Sequence, residues 1–439
     1  MNARVLALLL RPRPGQGGIV ALPAIAFALV TFLVMVVVGG AQAFWTWTDP
    51  EAGLYQALAA IALVLLVVPL ATLGGAAARL SARRRDERLS TLRLLGVSPA
   101  GVIGATVLES TLVALAGAVL GVLLSLASTP LIGLIPFRGE PLGGSAVMLP
   151  PLVIGGITAG IVALAGVSAA VGLRRVVISP LGVRTRTAVP RVHWFRAVAS
   201  VIVIVIAFTT MQVFPGTTGI VVTIIVIAGM FAASLAVLNV IGPWALKVQS
   251  NRALRRAEQP VKLLAARFVL DSPQTAWRQI SGVAMASFMA VFAGTGVAII
   301  DGTSAEGAGP EAYLGADIRT GLIITLIASF LMVAVSVGVN QASSILDRTE
   351  LHRSLHFLGV PLATVDGART RAVMAPLLLT AIGSALCATV LVLPLIGIAL
   401  IIQPVSIMTI VIVLAAGIGI VWLGTRVTRP LLASSFSAA

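Results

Sequence analysis

Residues 85–105 read RDERLSTLRLLGVSPAGVIGA, and residues 348–368 repeat the pattern as RTELHRSLHFLGVPLATVDGA. The two stretches align without a gap, and each follows the second apolar run of a group of four. A repeat of this kind divides the chain into two related blocks. The matched positions are Arg85/Arg348, Glu87/Glu350, Leu92/Leu355, Leu95/Leu358, Gly96/Gly359, Val97/Val360, Ala100/Ala363, Val102/Val365, Gly104/Gly367 and Ala105/Ala368.

The composition around the repeat indicates an integral membrane protein. Of the 439 residues, 58% are hydrophobic and 10% are charged, and the mean hydropathy is +1.07. Apolar runs of about 18 residues or more recur along the chain, and a helix of that length crosses the hydrocarbon core of a bilayer. We therefore predict an all-α membrane protein with ten transmembrane helices at residues 19–41, 54–76, 102–127, 149–172, 197–213, 219–241, 282–300, 320–345, 372–396 and 405–425.

The basic residues indicate the orientation of these spans. With the N-terminus inside, the inner segments hold all but two of the 30 lysines and arginines, and the exceptions are Arg138 and Arg319. Such a bias places the basic segments in the cytoplasm. We expect both termini inside, in the cytoplasmic membrane of a bacterium. The net charge of +15 then reflects topology and contact with membrane lipid, and no nucleic-acid partner is expected.

The repeat predicts an order of four spans, two linking spans and four spans. Six spans separate equivalent helices, and this even number makes the two repeats parallel. The segment Val5–Leu10 is too short for a signal-peptide core, so we expect no cleaved leader. Each block begins with a short amphipathic stretch, Val5–Arg11 or Leu263–Leu270, and ends in a related tail, 179–181 or 429–431. The predicted domains are 1–186, 187–250 and 251–439.

The first copy of the motif has the pattern of a short helix that stops before the next span begins. Between Ala82 and Gly96 leucines and arginines alternate at helical spacing, which is typical of an amphipathic helix. Gly96 suits the left-handed position that ends a helix, and Ser98 with Pro99 is a helix-start signal. Taken alone, such a helix could simply lie on anionic lipid. Its recurrence in both blocks favours a specific role.

The motif RRRDERLSTLRLLGVSPAGVI resembles the hallmark of the FtsX-like permease family, which includes the membrane subunits of macrolide exporters and lipoprotein-release systems. The segment SPLGVR at 179–184 resembles the family segment that follows the fourth helix. The resemblance implies an ABC transporter permease that is driven by a separate ATPase, with one permease serving an ATPase dimer. It also implies that the motif helices dock on the ATPases through Arg85, Glu87, Arg88, Leu92 and Gly96, and through Arg348, Glu350, Leu355 and Gly359.

The order of four, two and four spans is similar to permeases of the bacitracin-resistance type, which act on antimicrobial peptides and lipid-linked targets. In this chain the segment 301–319 is short where that type has a large extracellular domain. Export or extraction of an amphipathic or hydrophobic molecule is therefore the leading hypothesis. The alternatives are a non-transporting regulator, as in control of cell-wall hydrolases by some family members, and a secondary transporter. The spans hold few charged residues, which argues against the latter.

We do not expect this chain to be an enzyme. It has no GxxxxGK[ST] sequence to hold the phosphates of ATP. We therefore predict no catalytic residues, cofactor or metal site, with ATP hydrolysis confined to the partner. Cys387 is the single cysteine, and the three histidines are scattered.

Three further features have both a functional and a structural interpretation. Glu109 lies inside the third predicted span, where a carboxylate is costly, so it is a candidate for substrate binding or gating, or else it reaches the inner interface. The aromatic residues Phe44, Trp45 and Trp47 fit an interfacial belt better than a substrate site. Two GxxxG pairs suit close helix packing. These pairs are Gly117 with Gly121 and Gly156 with Gly160.

Overall fold

The computed structural model describes residues 17–49, 52–83, 99–177, 209, 220–303, 313–347, 349–402, 404–430 and 432–433. These residues are almost entirely helical, as predicted, and the exception is one short hairpin. The chain divides into two compact units, one of residues 1–187 with 338–344 and the other of residues 188–337 with 345–439.

The first unit contains four long helices. In it α1 packs on α3, α3 on α5, α5 on α2 and α2 on α1. A 3₁₀ turn, Phe44–Thr46, follows α1, and a hairpin and the short helix α4 connect α3 to α5. The elements are α1 Gly17–Ala43, α2 Ala52–Arg83, α3 Pro99–Ile132, β1 Pro136–Phe137, β2 Glu140–Pro141, α4 Gly144–Val147 and α5 Pro151–Val177.

The second unit repeats part of this pattern of packing. Its helix α8 packs on α11, as α1 does on α3, and α11 packs on α13, as α3 does on α5. Gly417 and Gly424 of α13 lie against Phe330 and Ala334 of α9. The elements are α6 Ile220–Arg255, α7 Pro260–Asp271, α8 Pro273–Thr303, α9 Leu314–Asp347, α10 Thr349–Phe357, α11 Leu362–Leu391, α12 Leu393–Ile402 and α13 Pro404–Val427.

Each predicted span except the fifth coincides with a described helix. The fifth, 197–213, lies outside the described residues apart from Thr209. In the described part of the chain, seven helices have a segment long and apolar enough to cross a membrane. These segments are Pro23–Thr46, Val107–Ile132, Pro151–Ala170, Pro273–Ile299, Leu314–Ile345, Leu362–Leu391 and Met408–Val427.

The ninth span differs from its prediction at both ends. The helix α11 begins at Leu362, ten residues before the predicted start, because its first turns contain charged residues that an apolar window excludes. It ends at Leu391 instead of 396, where Val392 leaves helical geometry with φ −105° and ψ 22°. The next helix, α12, then begins, and Pro394 in its first turn is tolerated because that position has no helical hydrogen bond to lose.

The predicted linking span 219–241 corresponds to α6, which packs within the second unit on α7, α8 and α11. The indole N–H of Trp277 in α8 donates to Oδ1 of Asn239 in α6 over 2.7 Å. Gly242 lies directly under the same ring, where a Cβ would come within 2.3 Å of it. A hydrogen bond from Gln249 to the carbonyl of Ala375, 3.2 Å long, ties the other half of α6 to α11.

The predicted amphipathic stretch Leu263–Leu270 lies in the helix α7, and its counterpart Val5–Arg11 lies outside the described residues. The buried side of α7 consists of Ala265, Ala266 and Val269. This side packs on α6 and α11, while Leu263 remains 44% exposed. The stretch therefore packs on protein with one face, in addition to any contact with lipid.

The two GxxxG pairs behave differently. A Cβ on Gly117 would lie 2.4 Å from the carbonyl oxygen of Ala24, and one on Gly121 would lie 2.4 Å from that of Ala28. This pair therefore lets α1 and α3 approach closely, as predicted. For Gly156 with Gly160 the described residues show no such contact, since a Cβ on either would meet none of their atoms within 4 Å.

Candidate functional site

The second copy of the motif forms a sharp corner between α9 and α11. Its helix α10 ends at Phe357, and Gly359 follows in the left-handed region with φ +76°. The N–H of Val360 donates to the carbonyl of Leu355 over 3.0 Å, and the N–H of Gly359 donates to that of His356 over 2.9 Å. This pair of hydrogen bonds is a Schellman motif. Gly359, which the repeat matches to Gly96, thus ends its helix in the way predicted for Gly96, and Gly96 itself lies outside the described residues.

The next span begins immediately after the corner. Pro361 is extended, with φ −64° and ψ 141°, and is the N-cap of α11. Its carbonyl accepts a hydrogen bond from the N–H of Thr364 over 3.0 Å. In the first copy α3 begins at Pro99, where the start signal was predicted. The repeat therefore places a proline at the start of the third helix in both blocks.

One side of α10 packs against the protein through Leu355. This side chain is partly buried and contacts a cluster formed by Ile345, Val365 and Leu432, which are at most 2% exposed. Val360 and Leu362 of the corner pack against the same cluster. The cluster therefore joins the end of α9, the corner, the start of α11 and the segment that follows α13.

The corner also leaves large apolar side chains uncovered. Leu351 is 45% exposed, Phe357 76% and Leu358 78%. Ser354 and His356 are also exposed. Apolar groups of this size on a short helix between two spans form a surface suited to a protein partner. We call Leu351, Phe357 and Leu358 the outer face of α10.

Charged side chains lie beside the apolar cluster, in the first turns of α11. The guanidinium of Arg369 donates from Nη2 to Oδ1 of Asp366 over 3.0 Å, and both residues are buried. Nε of Arg429, which is 57% exposed, lies 3.6 Å from Oδ2 of the same carboxylate. Two cations thus share one carboxylate, which compensates the charge that folding removes from water.

The sequence analysis did not identify this group of three charges. Asp366 and Arg369 stand three residues apart, which is the spacing of neighbours on a helix face. The pairing of Asp366 with Arg369 could therefore have been predicted from the sequence. The contact with Arg429 could not, because it joins positions more than sixty residues apart.

The predicted docking residues are described only in part. Arg85, Glu87, Arg88, Leu92, Gly96 and Arg348 lie outside the described residues. Glu350 lies in α10, but its side chain is not among those described. Leu355 and Gly359 belong to the corner, where Leu355 faces the protein and Gly359 forms the turn.

Glu109 is partly buried in α3, two residues after the start of the apolar segment Val107–Ile132. It therefore lies at the end of the span nearer the repeated motif. This position fits a carboxylate that reaches the interface as well as one that acts in gating.

The aromatic residues after α1 surround a cation at the hairpin. The guanidinium carbon of Arg138 lies 3.9 Å from the ring centre of Trp47 and 4.7 Å from that of Tyr55. Arg138 also forms an ion pair with Asp49. Burial opposes the charged form, but hydrogen bonds and attraction from Asp49 and Tyr55 outweigh it and raise the pKa of Arg138. Arg138 and Gly139 both have positive φ, as in a type I′ hairpin turn.

The three aromatic residues proposed as a belt have different surroundings. Phe44 is buried against Phe137, with ring centres 5.1 Å apart, while Trp47 packs below Arg138. Trp45 is 52% exposed and is the residue of the three suited to an interfacial belt. Among the described residues no group of three His, Cys, Asp or Glu side chains could hold a metal ion.

Comparison with known proteins gives one family match. Residues 59–181 match the family model of the FtsX-like permease C-terminal domain. The match includes most of α2, the first copy of the motif, all of α3 and α5, and the segment that follows α5. No curated protein matches the chain.

Proposed function

We propose that this chain, whose residues 59–181 match the model of the FtsX-like permease C-terminal domain, is the membrane subunit of an ABC transporter whose ATPase is a separate protein. ATP binds to and is hydrolysed by that partner alone. The permease exports or extracts an amphipathic or hydrophobic molecule, such as a peptide, lipid or drug, by mechanical coupling. The protein lies in the bacterial cytoplasmic membrane, with both termini and the two motif helices inside.

The observation that carries this proposal is the two-sided nature of α10. Its outer face exposes Leu351, Phe357 and Leu358, while Leu355, one turn after Leu351, is partly buried and packs on α9, α11 and the segment that follows α13. A partner that docks on the outer face can therefore pull on several spans at once. A helix that only lay on lipid would not need this internal attachment.

Transmission then follows from packing. When two ATPases close on ATP, they carry the two motif helices with them, and packed elements move as bodies because their interiors resist deformation. The Schellman turn at Gly359 fixes the angle between α10 and α11. Movement of α10 is therefore passed to α9 and α11 within the second unit. We expect the first copy of the motif to act in the same way on α2 and α3, the spans that flank it in the sequence.

The substrate class rests on composition and on the short outer segments. The hairpin region between α3 and α5 spans only residues 133–150, and residues 304–312 lie outside the described part of the chain. Neither is long enough to form a separate recognition domain. A substrate that reaches the helices from the bilayer needs no such domain.

The test uses two leucines of matched exposure. Leu351 on α10 is 45% exposed and Leu263 on α7 is 44% exposed. Leu351→Asp is expected to weaken docking of the ATPase by about 2–4 kcal/mol, as at interface hot spots. Leu263→Asp is expected to leave docking unchanged. The measurement is copurification of the ATPase with each variant, together with permease-stimulated ATP hydrolysis in nanodiscs.

The wild-type complex is expected to contain one permease and two ATPase subunits, and the permease alone is expected to hydrolyse no ATP. Full binding and stimulation by Leu351→Asp would contradict the docking role of α10. A complex with two permeases per ATPase dimer would contradict the pairing of one chain with both ATPases. An ABC ATPase encoded next to this chain would supply the partner for the assay.

A further inference from the structure

The chain continues beyond α13 in a way that ties its end to that helix. Thr428 donates its hydroxyl to the carbonyl of Thr425 over 3.0 Å. The N–H of Leu432 donates to the carbonyl of Thr428 over 3.3 Å, which is a hydrogen bond of helical spacing. We call residues 428–433 the C-terminal segment. It follows the movement of α13 because its first residues are bonded to the last turn of that helix.

The C-terminal segment contacts the motif corner through an apolar side chain. Leu432 is fully buried in the cluster with Ile345 and Val365. Leu355 of α10 packs against that cluster from the other side. An apolar side chain that is completely removed from water indicates that the C-terminal segment is held in place at Leu432.

The segment also contacts the corner through charge. Arg429 reaches Asp366, whose other oxygen accepts a hydrogen bond from Arg369. Asp366 is 6% exposed, so its charge is largely removed from water. The arginine is more than half exposed, and its attraction to the carboxylate is therefore partly screened by salt.

The first block lacks these charges. The positions equivalent to Asp366, Arg369 and Arg429 are Ile103, Thr106 and Ser179. None of these three side chains can be ionised, so the same ion pairs cannot form there. The two halves of the protein therefore differ in how the fourth helix of the block is connected to the motif.

We propose that the C-terminal segment is a positioning element that locks α10 to α13, and that this lock belongs to the second half of the protein alone. Its consequence for transport rests on the proposed function, but the lock itself does not. In the intact protein, a displacement of α10 moves α13 as well as α9 and α11. In the first half the equivalent positions carry no charges that could form this connection.

The first experiment tests the lock without the ATPase. Hydrogen–deuterium exchange of residues 349–360 is measured in the purified chain, in a chain truncated after residue 428 and in a control truncated after residue 433. Truncation after 428 is expected to speed exchange by about threefold to thirtyfold, the range found when coupled packing is disturbed. Truncation after 433 is expected to leave exchange unchanged.

Point variants provide a second test if the chain truncated after residue 428 fails to fold. Arg429→Gln removes the partly exposed cation and is expected to speed exchange in 349–360, and added salt should narrow its difference from wild type. Arg429→Lys retains the charge and is expected to restore most of the protection. Ser179→Ala, at the equivalent position of the first block, is expected to leave exchange in both motif helices unchanged.

The second experiment separates positioning from docking. With the ATPase present, Arg429→Gln is expected to bind it with unchanged affinity while stimulated hydrolysis falls by about threefold or more. Equal exchange in Arg429→Gln, Arg429→Lys and wild type would overturn the lock. Lost affinity with normal exchange would show that Arg429 contacts the ATPase and would also overturn it. If wild type fails to bind any ATPase, the proposed function fails, and the exchange measurements still decide the lock.

Discussion

Gly359 is the residue at which the repeated motif and the geometry of the corner are most closely connected. Its φ of +76° is a conformation that side chains other than glycine rarely adopt. A Cβ added there would meet no atom within 4 Å, so the surroundings leave space for one. The backbone alone therefore selects glycine, and the expected penalty for an L-residue is about 1–2 kcal/mol.

Gly359→Ala is expected to weaken the Schellman turn for this reason. Exchange of the amides of Leu358 to Val360 should become about fivefold to thirtyfold faster, which corresponds to that penalty. Gly359→Asn is the control, because asparagine occupies the left-handed region more readily and should show a smaller increase. Hydrogen–deuterium exchange of the purified chain measures both. Equal protection in wild type and Gly359→Ala would show that the turn does not depend on glycine.

In the first unit, glycines bring two helices close together only where they face a neighbouring helix. The pair Gly117 and Gly121 lies in contact with the backbone of α1, and both glycines are buried. The pair Gly156 and Gly160 has the same spacing in α5 but contacts no helix in the described part of the chain. Since lipid is as apolar as leucine, close backbone approach supplies much of the attraction between two spans.

Gly121→Ala is expected to destabilise the pairing of α1 with α3. The new methyl group would fall 2.4 Å from the carbonyl oxygen of Ala28 and 2.6 Å from Cβ of Thr31, so one helix must move. We expect a loss of about 1–3 kcal/mol, the usual cost of overpacking. Gly156→Ala is the matched control and should be neutral, or slightly stabilising because alanine favours a helix. Thermal melting of both variants in detergent tests this, and equal melting temperatures would contradict the contact.

At the scale of the whole molecule the repeat appears as equivalent helix pairings. The most extensive contact of the first unit joins α1 and α3, and that of the second joins the equivalent helices α8 and α11. We therefore expect the first copy of the motif to form the same kind of corner as the second, with a short helix that ends at a glycine before the next span. Residues 84–98 of the first copy lie outside the described part of the chain, so its docking residues stay a prediction.

The orientation predicted from the distribution of basic residues can be tested by labelling from outside the cell. With Cys387 replaced by serine, a cysteine at Ser90 or at the exposed Ser354 of α10 is expected to resist a membrane-impermeant maleimide in intact cells. A cysteine at the exposed Ser145 of α4 is the control and should react. Labelling at Ser90 or Ser354 would reverse the orientation and remove both motif helices from the reach of a cytoplasmic ATPase.

Hydropathy, charge bias and the repeat predicted the membrane class, the positions of most spans and the turn at Gly359. These features depend on properties that each short stretch carries by itself. An apolar run seeks lipid whatever its neighbours are, and a glycine ends a helix through its own backbone freedom. The start of α11 was misplaced for the same reason, because its charged first turns are locally polar although they are part of the helix.

Only the tertiary structure decided which side chains of the motif are covered. Leu355 was predicted from the sequence to dock on the ATPase, and the structure adds that it is partly buried against Ile345, Val365 and Leu432, while Leu351 is left on the outer face. Likewise, the partners of Asp366, and the difference between Gly121 and Gly156, depend on contacts with other elements. Burial and ion pairing are properties of what lies opposite a residue in space, and neither composition nor helical periodicity records that neighbour.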